Sequence, residues 1–375
     1  MDLGYCAKLD DFVQNARQNP NLIDLSMCDP PRYGFKPDPN IFREFSLKEL
    51  EYGYPSARED LVNGIVTRTK EFTGLRVEGS NVIISSGLGG AFASLAIALH
   101  GQSVGIHTPF YSPVYEYFRN TTNLWYFRCT PELEWGVDLD SLRTELEKRN
   151  EPGYLMAISP SNPTGHVFSH KEMTEIINLA GEYNQILISD EVYDEMCFVP
   201  FTSALGNSKD VPVIYMHGFS KVWRAPEIRL GFMILHDPEE KATNKFSEIR
   251  RVCKLAFGVN PYSQLMGTRL LKETKKYRTE QFKELRSRRD ALNDAIRNSA
   301  NLTSVEAKGA TYQFIKTPWN DWEICQYLAA KHNLLVTPAS VFDQNIGHDY
   351  VRVVFLNKQE TLQEFVTLLD QGINY

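Results

Sequence analysis

The chain has 375 residues, more than one hydrophobic core comfortably organises, so two domains or one large domain with a satellite are expected. Its 40 Lys and Arg against 47 Asp and Glu give a formal charge of −7, which supplies no overall electrostatic reason to bind nucleic acid or anionic membrane. Hydrophobic residues at 42% and aromatic residues at 12% exclude a disordered chain.

The cysteines (Cys6, Cys28, Cys129, Cys197, Cys253, Cys325) are scattered, with no pair at metal-ligand or redox-motif spacing. They read as isolated thiols in a reducing compartment. The N-terminus, Met1-Asp2-Leu3-Gly4-Tyr5, lacks the basic and apolar regions of a signal peptide. The longest strongly apolar stretch, around Ala91 to Leu99, is about half of a membrane span. A soluble, cytoplasmic protein is expected, with no metal site.

In chain order, residues 1–44 are rich in Pro, Asp and Asn and read as an irregular arm with one short apolar segment, Leu22 to Met27. Residues 45–262 alternate short apolar runs with helical patterns. The runs Val82–Ile84, Ser103–Ile106, Tyr154–Ile158, Ile186–Ile188 and Val213–Met216 suit strands buried on both faces; Gly90–His100 and Lys171–Tyr183 suit the helices between them. After Pro261 the character changes. Leu270 to Asn298 has helical spacing of apolar residues (Leu271, Tyr277, Phe282, Leu285, Leu292, Ile296), and its basic bias reads as a solvated face. The remainder mixes short strands (Tyr312–Ile315, Val351–Phe355) with helices (Trp322–His332, Gln359–Leu369). The expected fold is α/β: a mostly parallel sheet sandwiched by helices, then a smaller α+β domain over 263–375 that the arm completes.

Chemistry gathers at strand ends, where open parallel sheets bind ligands. Ser220-Lys221 follows one buried run; a lysine desolvated there has a lowered pKa and a nucleophilic amine. Arg229, eight residues on, offers a fixed charge suited to phosphate. On the dipeptide alone, an ordinary surface lysine is the plainer alternative. Asp190-Glu191-Val192-Tyr193 ends another run. A buried acid there needs a cationic or hydrogen-bonding partner, such as a protonated pyridine nitrogen; solvated loop acids are the alternative. Asn162-Pro163-Thr164-Gly165 is turn chemistry that also places an amide beside a ligand oxygen. Gly87-Leu88-Gly89-Gly90 opens a helix, exposing backbone N–H groups to a phosphate.

In this order and spacing the segments resemble the class I/II aminotransferases of pyridoxal-phosphate (PLP) fold type I, from the N-terminal arm to near Val354. The resemblance implies PLP as cofactor, an amino acid and a 2-oxo acid as substrates, and a homodimer with shared active sites. It implies that Lys221 forms the internal aldimine and moves the proton at the substrate α-carbon. Asp190 keeps the pyridine nitrogen protonated, while Asn162 and Tyr193 bond the phenolic oxygen. Gly87, Leu88 and Gly89 offer backbone donors to the phosphate, with Ser220 and Arg229. Tyr111 stacks on the ring, Arg352 grips the substrate carboxylate as a bidentate pair, and Tyr52 (or Tyr54, in another register) reaches across the dimer to the phosphate.

Three positions depart from the family pattern. Gly218 stands where a serine is usual, and Ser220 compensates for that hydroxyl. Cys28 stands for a glycine near the substrate carboxylate, where a side chain crowds or lines the pocket. Ala57 replaces another glycine with little consequence. The same fold and cofactor also serve β-eliminating lyases and synthases that intercept the quinonoid, which the residues leave open. A non-enzymatic regulator of this fold usually carries an added DNA-binding segment, and none is expected here before the first motif.

Overall fold

The computed structural model describes residues 3–43, 57–149, 151–255 and 258–373. Tyr52 and Tyr54 lie outside them. The chain opens with α1 (Leu3–Ala16), where an irregular arm was expected. The arm's polar composition hides a one-sided pattern: Leu9 and Phe12 pack against a small core, with the Phe12 ring edge-on to Trp322 at 6.1 Å. After β1 (Ile23–Asp24) come α2 (Glu59–Thr73), β2 (Val82–Ser85) and α3 (Gly87–Ala98). The remaining strands are β3 (Ser103–Thr108), β4 (Asn123–Thr130), β5 (Gly136–Val137), β6 (Gly153–Ile158), β7 (Gln185–Asp190), β8 (Val213–Gly218), β9 (Gly231–His236), β10 (Tyr312–Lys316), β11 (Leu334–Leu335), β12 (Thr337–Pro338) and β13 (Tyr350–Val354).

Eight strands form one sheet in the order β2-β9-β8-β7-β6-β3-β4-β5. The ladders β3–β4, β3–β6, β6–β7 and β7–β8 are parallel; β9 runs against both β8 and β2, and β5 against β4. The central strands are buried on both faces, as their unbroken apolar runs require. Successive residues serve opposite faces: Leu155 and Leu187 join a core with α2, while Met156 and Ile188 join another with α3. Strands β4, β5 and β9 were not anticipated. The β9 run Gly231–His236 follows the Lys221 segment so closely that it reads as part of that motif.

The expected single helix from 270 to 298 is two. Pro261–Leu271 ends before Thr274, whose hydroxyl accepts from the Tyr277 N–H and opens Lys275–Arg297. Met266 and Leu270 of the first helix pack in the core of the large sheet, beyond the expected boundary at 262. The second helix packs with β10, β13 and the arm residues Leu25, Cys28 and Phe35 in a separate core. There β10 and β12 flank β13 antiparallel, and β1 pairs with β11 in parallel.

Candidate active site

The strand β7 ends in Asp190, which is 5% exposed rather than solvated in a loop. Burial pushes its pKa up to about 7, against the Val192 N–H donated to Oδ1 at 3.1 Å and the charge of Lys221. A carboxylate so placed stands ready for a cation. Its neighbour Glu191 is differently committed: Oε1 accepts from Ser189 Oγ at 2.9 Å and from the Ala204 N–H at 2.8 Å, and burial pushes its pKa up to about 8.

Lys221 leaves the adjacent strand β8 on a loop anchored from within. The Phe219 and Trp223 rings lie 4.7 Å apart in the core beneath it, and the Arg224 guanidinium meets both oxygens of Glu273, at 2.6 and 2.5 Å. Lys221 Nζ donates to the Cys28 carbonyl at 3.1 Å and stands 5.9 Å from the centre of the Tyr193 ring. The expected lowering of its pKa is not found. Burial does oppose the charge, but Cys28 and Tyr312 around the amine outweigh it and the pKa is raised. The polar groups come from the arm and the smaller domain, which the local sequence around Lys221 does not contain.

Beyond β2, Gly87 takes φ +64° at the start of α3, and the flanking Ser86 puts no side-chain cap on the helix's N–H groups. A methyl group on Gly87 would meet Arg229 Nη2 at 2.7 Å; only a glycine lets the guanidinium lie against that turn. Arg229 Nη1 donates to the Pro226 carbonyl at 2.9 Å. Leu88 and Gly89 complete the turn, where a Gly89 methyl would touch Tyr117 Oη at 3.0 Å. Ser220 is half-buried in the lysine loop. A side chain at Gly218 would meet only ordinary contacts, Leu230 O at 3.4 Å and Leu88 Cγ at 3.7 Å, so packing does not impose that departure.

On the opposite side Arg352 of β13 reaches in from the smaller domain. Nη1 donates to Asn162 Oδ1 at 3.0 Å, and Nη2 donates to Thr337 Oγ1 at 3.1 Å and to the Ser26 carbonyl. The guanidinium lies over the Tyr312 and Phe342 rings, at 4.8 and 4.6 Å, while its buried Nε has no hydrogen-bond partner among the described residues. Burial pulls the Arg352 pKa down. Because Asn162 accepts through oxygen, its NH₂ is left to donate into the cleft. Tyr111, after β3, is 38% exposed. His107 fixes that turn: Nε2 accepts from the Ile158 N–H at 3.2 Å, so Nδ1 donates to the Pro109 carbonyl at 3.1 Å, and burial holds the ring neutral with a pKa lowered to about 4. Cys28 is buried, and its sulfur accepts from Thr311 Oγ1 at 3.2 Å.

Contacts thus link Lys221 to Asp190, Tyr193 and Cys28, and link Tyr193 through Tyr312 to Arg352 and Asn162, while Gly87 meets Arg229. Two features went unread in the sequence. Tyr312 Oη lies 2.7 Å from Tyr193 Oη; Tyr312 opens an expected strand, but only the pairing of β10 with β13 brings it beside Arg352. Under the lysine loop, Asp194 joins His217 Nε2 at 3.0 Å to Arg68 Nη2 at 2.5 Å, a buried ion pair spanning α2 and β8.

A family model described as aminotransferase class I and II matches residues 49–369. The chain belongs to that family. Tyrosine aminotransferase of Mus musculus is 25% identical over 362 residues, covering 90% of this chain and 78% of the mouse protein. Aspartate aminotransferase of Thermotoga maritima is 25% identical over 341 residues, covering 87% and 84%. The solved alanine aminotransferase of Pyrococcus furiosus superposes with a TM-score of 0.88 at 28% identity, over 99% of this chain and 96% of that one. This aminotransferase is therefore an enzyme, a transaminase on the α/β fold of its class. Among the described residues no helix is long and apolar enough to cross a membrane.

Proposed function

We propose that this aminotransferase holds pyridoxal 5′-phosphate in the cleft and moves an amino group between an L-amino acid and a 2-oxo acid, with Lys221 as the nucleophile. The observation that carries the reading is a buried carboxylate beside the amine together with an anion-ready turn next to the same loop. A buried carboxylate, Asp190, feels the Lys221 charge, and a left-handed glycine turn lies against Arg229, eight residues along the chain from that lysine. That donor set fits the group: a pyridine nitrogen answers the first and a phosphate the second.

When bound, the cofactor supplies a ring that withdraws electrons from bonds at the substrate α-carbon. In this reading the chain's residues do the rest. Asp190 keeps a proton on the ring nitrogen, an electrostatic stabilisation fixed before the reaction begins. The N–H groups of Gly87, Leu88 and Gly89, with Ser220 and Arg229, hold the phosphate. The Tyr111 ring stacks, and Asn162 and Tyr193 donate to the phenolic oxygen. Arg352 takes the α-carboxylate as a bidentate pair and so orients the Cα–H bond toward Lys221, which moves the proton. Cys28 lines the substrate side of the pocket. We further read the enzyme as a cytoplasmic homodimer in which Tyr52 of a second copy completes the phosphate site. The relatives' names span aromatic, acidic and small amino acids, so the reading stops at the substrate class.

The test is Lys221→Ala, assayed with a panel of amino donors against 2-oxoglutarate and pyruvate. The variant is expected to fold, to lose the yellow colour of the loaded protein and to lose turnover by at least ~10³-fold. Normal turnover in the variant would end the proposal.

A further inference from the structure

The hydroxyls of Tyr193 and Tyr312 are 2.7 Å apart, with their rings edge-on at 5.8 Å and 87°. Each hydroxyl owns a single proton. If Tyr193 spends its proton on an oxygen in the cleft, the bond between the two tyrosines has only one polarity: Tyr312 donates and Tyr193 accepts. Tyr312 is 3% exposed and is held from three sides: by the β10–β13 pairing, by the Arg352 guanidinium over its ring, and by the Thr311–Cys28 contact next to it.

We infer that Tyr312 is a positioning residue that acts through Tyr193, polarising the hydrogen bond by which Tyr193 holds the cofactor's phenolic oxygen in its anionic form. This rests on the pyridoxal-phosphate reading above and adds to it a residue, contributed by the smaller domain, that does not touch the cofactor. Hydrogen bonds in a chain strengthen one another, and most strongly where water is excluded. The cleft then has two donor chains converging on one oxygen, Arg352 through Asn162 and Tyr312 through Tyr193. Both start on the smaller domain and end on loops of the large sheet. The titratable and charged groups facing the tyrosine pair are Cys28 from the arm, Tyr111 and Lys221 from the sheet loops, and Arg352 from β13.

The experiment titrates the visible absorption of protein loaded with pyridoxal phosphate for the wild type, Tyr312→Phe, Tyr193→Phe and the double variant. Phenylalanine keeps the ring packing, and circular dichroism checks the fold. Loss of the Tyr312 hydroxyl is expected to raise the pH midpoint by about half a unit, the scale of a neutral hydrogen bond felt one bond removed. Tyr193→Phe is expected to raise it further, and in that background Tyr312→Phe adds nothing. An unchanged midpoint in Tyr312→Phe overturns the inference, as does an equal shift with and without Tyr193. A wild-type protein that develops no visible band overturns the reading of the site itself, and the relay falls with it. A wild type that titrates normally beside an unmoved Tyr312→Phe sinks the relay alone.

Discussion

Asp190 shows at the scale of one residue how a site can be costly until it is filled. Burial pushes its pKa up to about 7 in the folded chain, against about 3.9 in an unfolded one. A carboxyl raised in this way binds its proton more tightly when folded. Its contribution to stability is present below about pH 4, fades as pH rises toward 7, and above that the folded state carries the whole cost of a buried charge. Asp190→Asn is therefore expected to stabilise the cofactor-free protein at pH 8 by on the order of a few kcal/mol, and by less than half of that at pH 5. Urea unfolding at both pH values measures it. An equal effect at the two pH values would refute the charge penalty. In the loaded protein the sign reverses, because the variant then lacks the counter-charge of a ring cation. At this scale the positions of the candidate residues were legible: Asp190, Lys221 and Asn162 each end or follow an apolar run, and a buried run must surface somewhere. The protonation of Lys221 was not legible, because the groups that raise its pKa, Cys28 and Tyr312, lie far away in sequence.

At the scale of elements, the loop carrying Lys221 is tied to the turn between the helices Pro261–Leu271 and Lys275–Arg297. Arg224, 5% exposed, grips Glu273 in that turn, and Glu273 Oε1 also accepts from the Asp38 N–H of the arm at 3.1 Å. Removing one partner strands a buried charge, whereas removing both replaces the pair with apolar packing. Glu273→Gln is expected to cost about 3–5 kcal/mol, and Arg224→Met with Glu273→Met to recover part of that. Urea unfolding of the full double-mutant cycle decides it; a Glu273→Gln cost below ~1 kcal/mol would show the clamp to be slack. The same turn explains the helix read as one over 270–298. Apolar spacing carries through it, but the interruption is a tertiary connection, and a three-residue break leaves little mark on periodicity. The helix α1 was missed for the converse reason: its apolar face is short and finds its partner, Trp322, in the distant part of the chain.

At the scale of the whole molecule, the cleft joins two separately packed cores. Core membership leads us to propose dividing the chain after Leu271, with the arm joined to the C-terminal unit. On the proposed reading, a ligand held by Asp190 and Gly87 and reached through Arg352 and Tyr312 stabilises both at once. Loading at a hundredfold excess over the dissociation constant is worth ~2.7 kcal/mol, or about 3–4 °C in melting temperature for a chain of 375 residues. Differential scanning calorimetry of stripped and loaded protein reads the shift, and coincident melting curves would deny a shared site. The amino-acid sequence by itself determined the central parallel strands and the polar residues at their ends, because burial on both faces and turn chemistry are written locally. Tertiary structure alone decided the partners. Tyr193 meets a hydroxyl 119 residues away, and Asn162 an arginine 190 residues away. Such contacts depend on which strands pair and which face each presents, and no local window of sequence contains both halves of that choice.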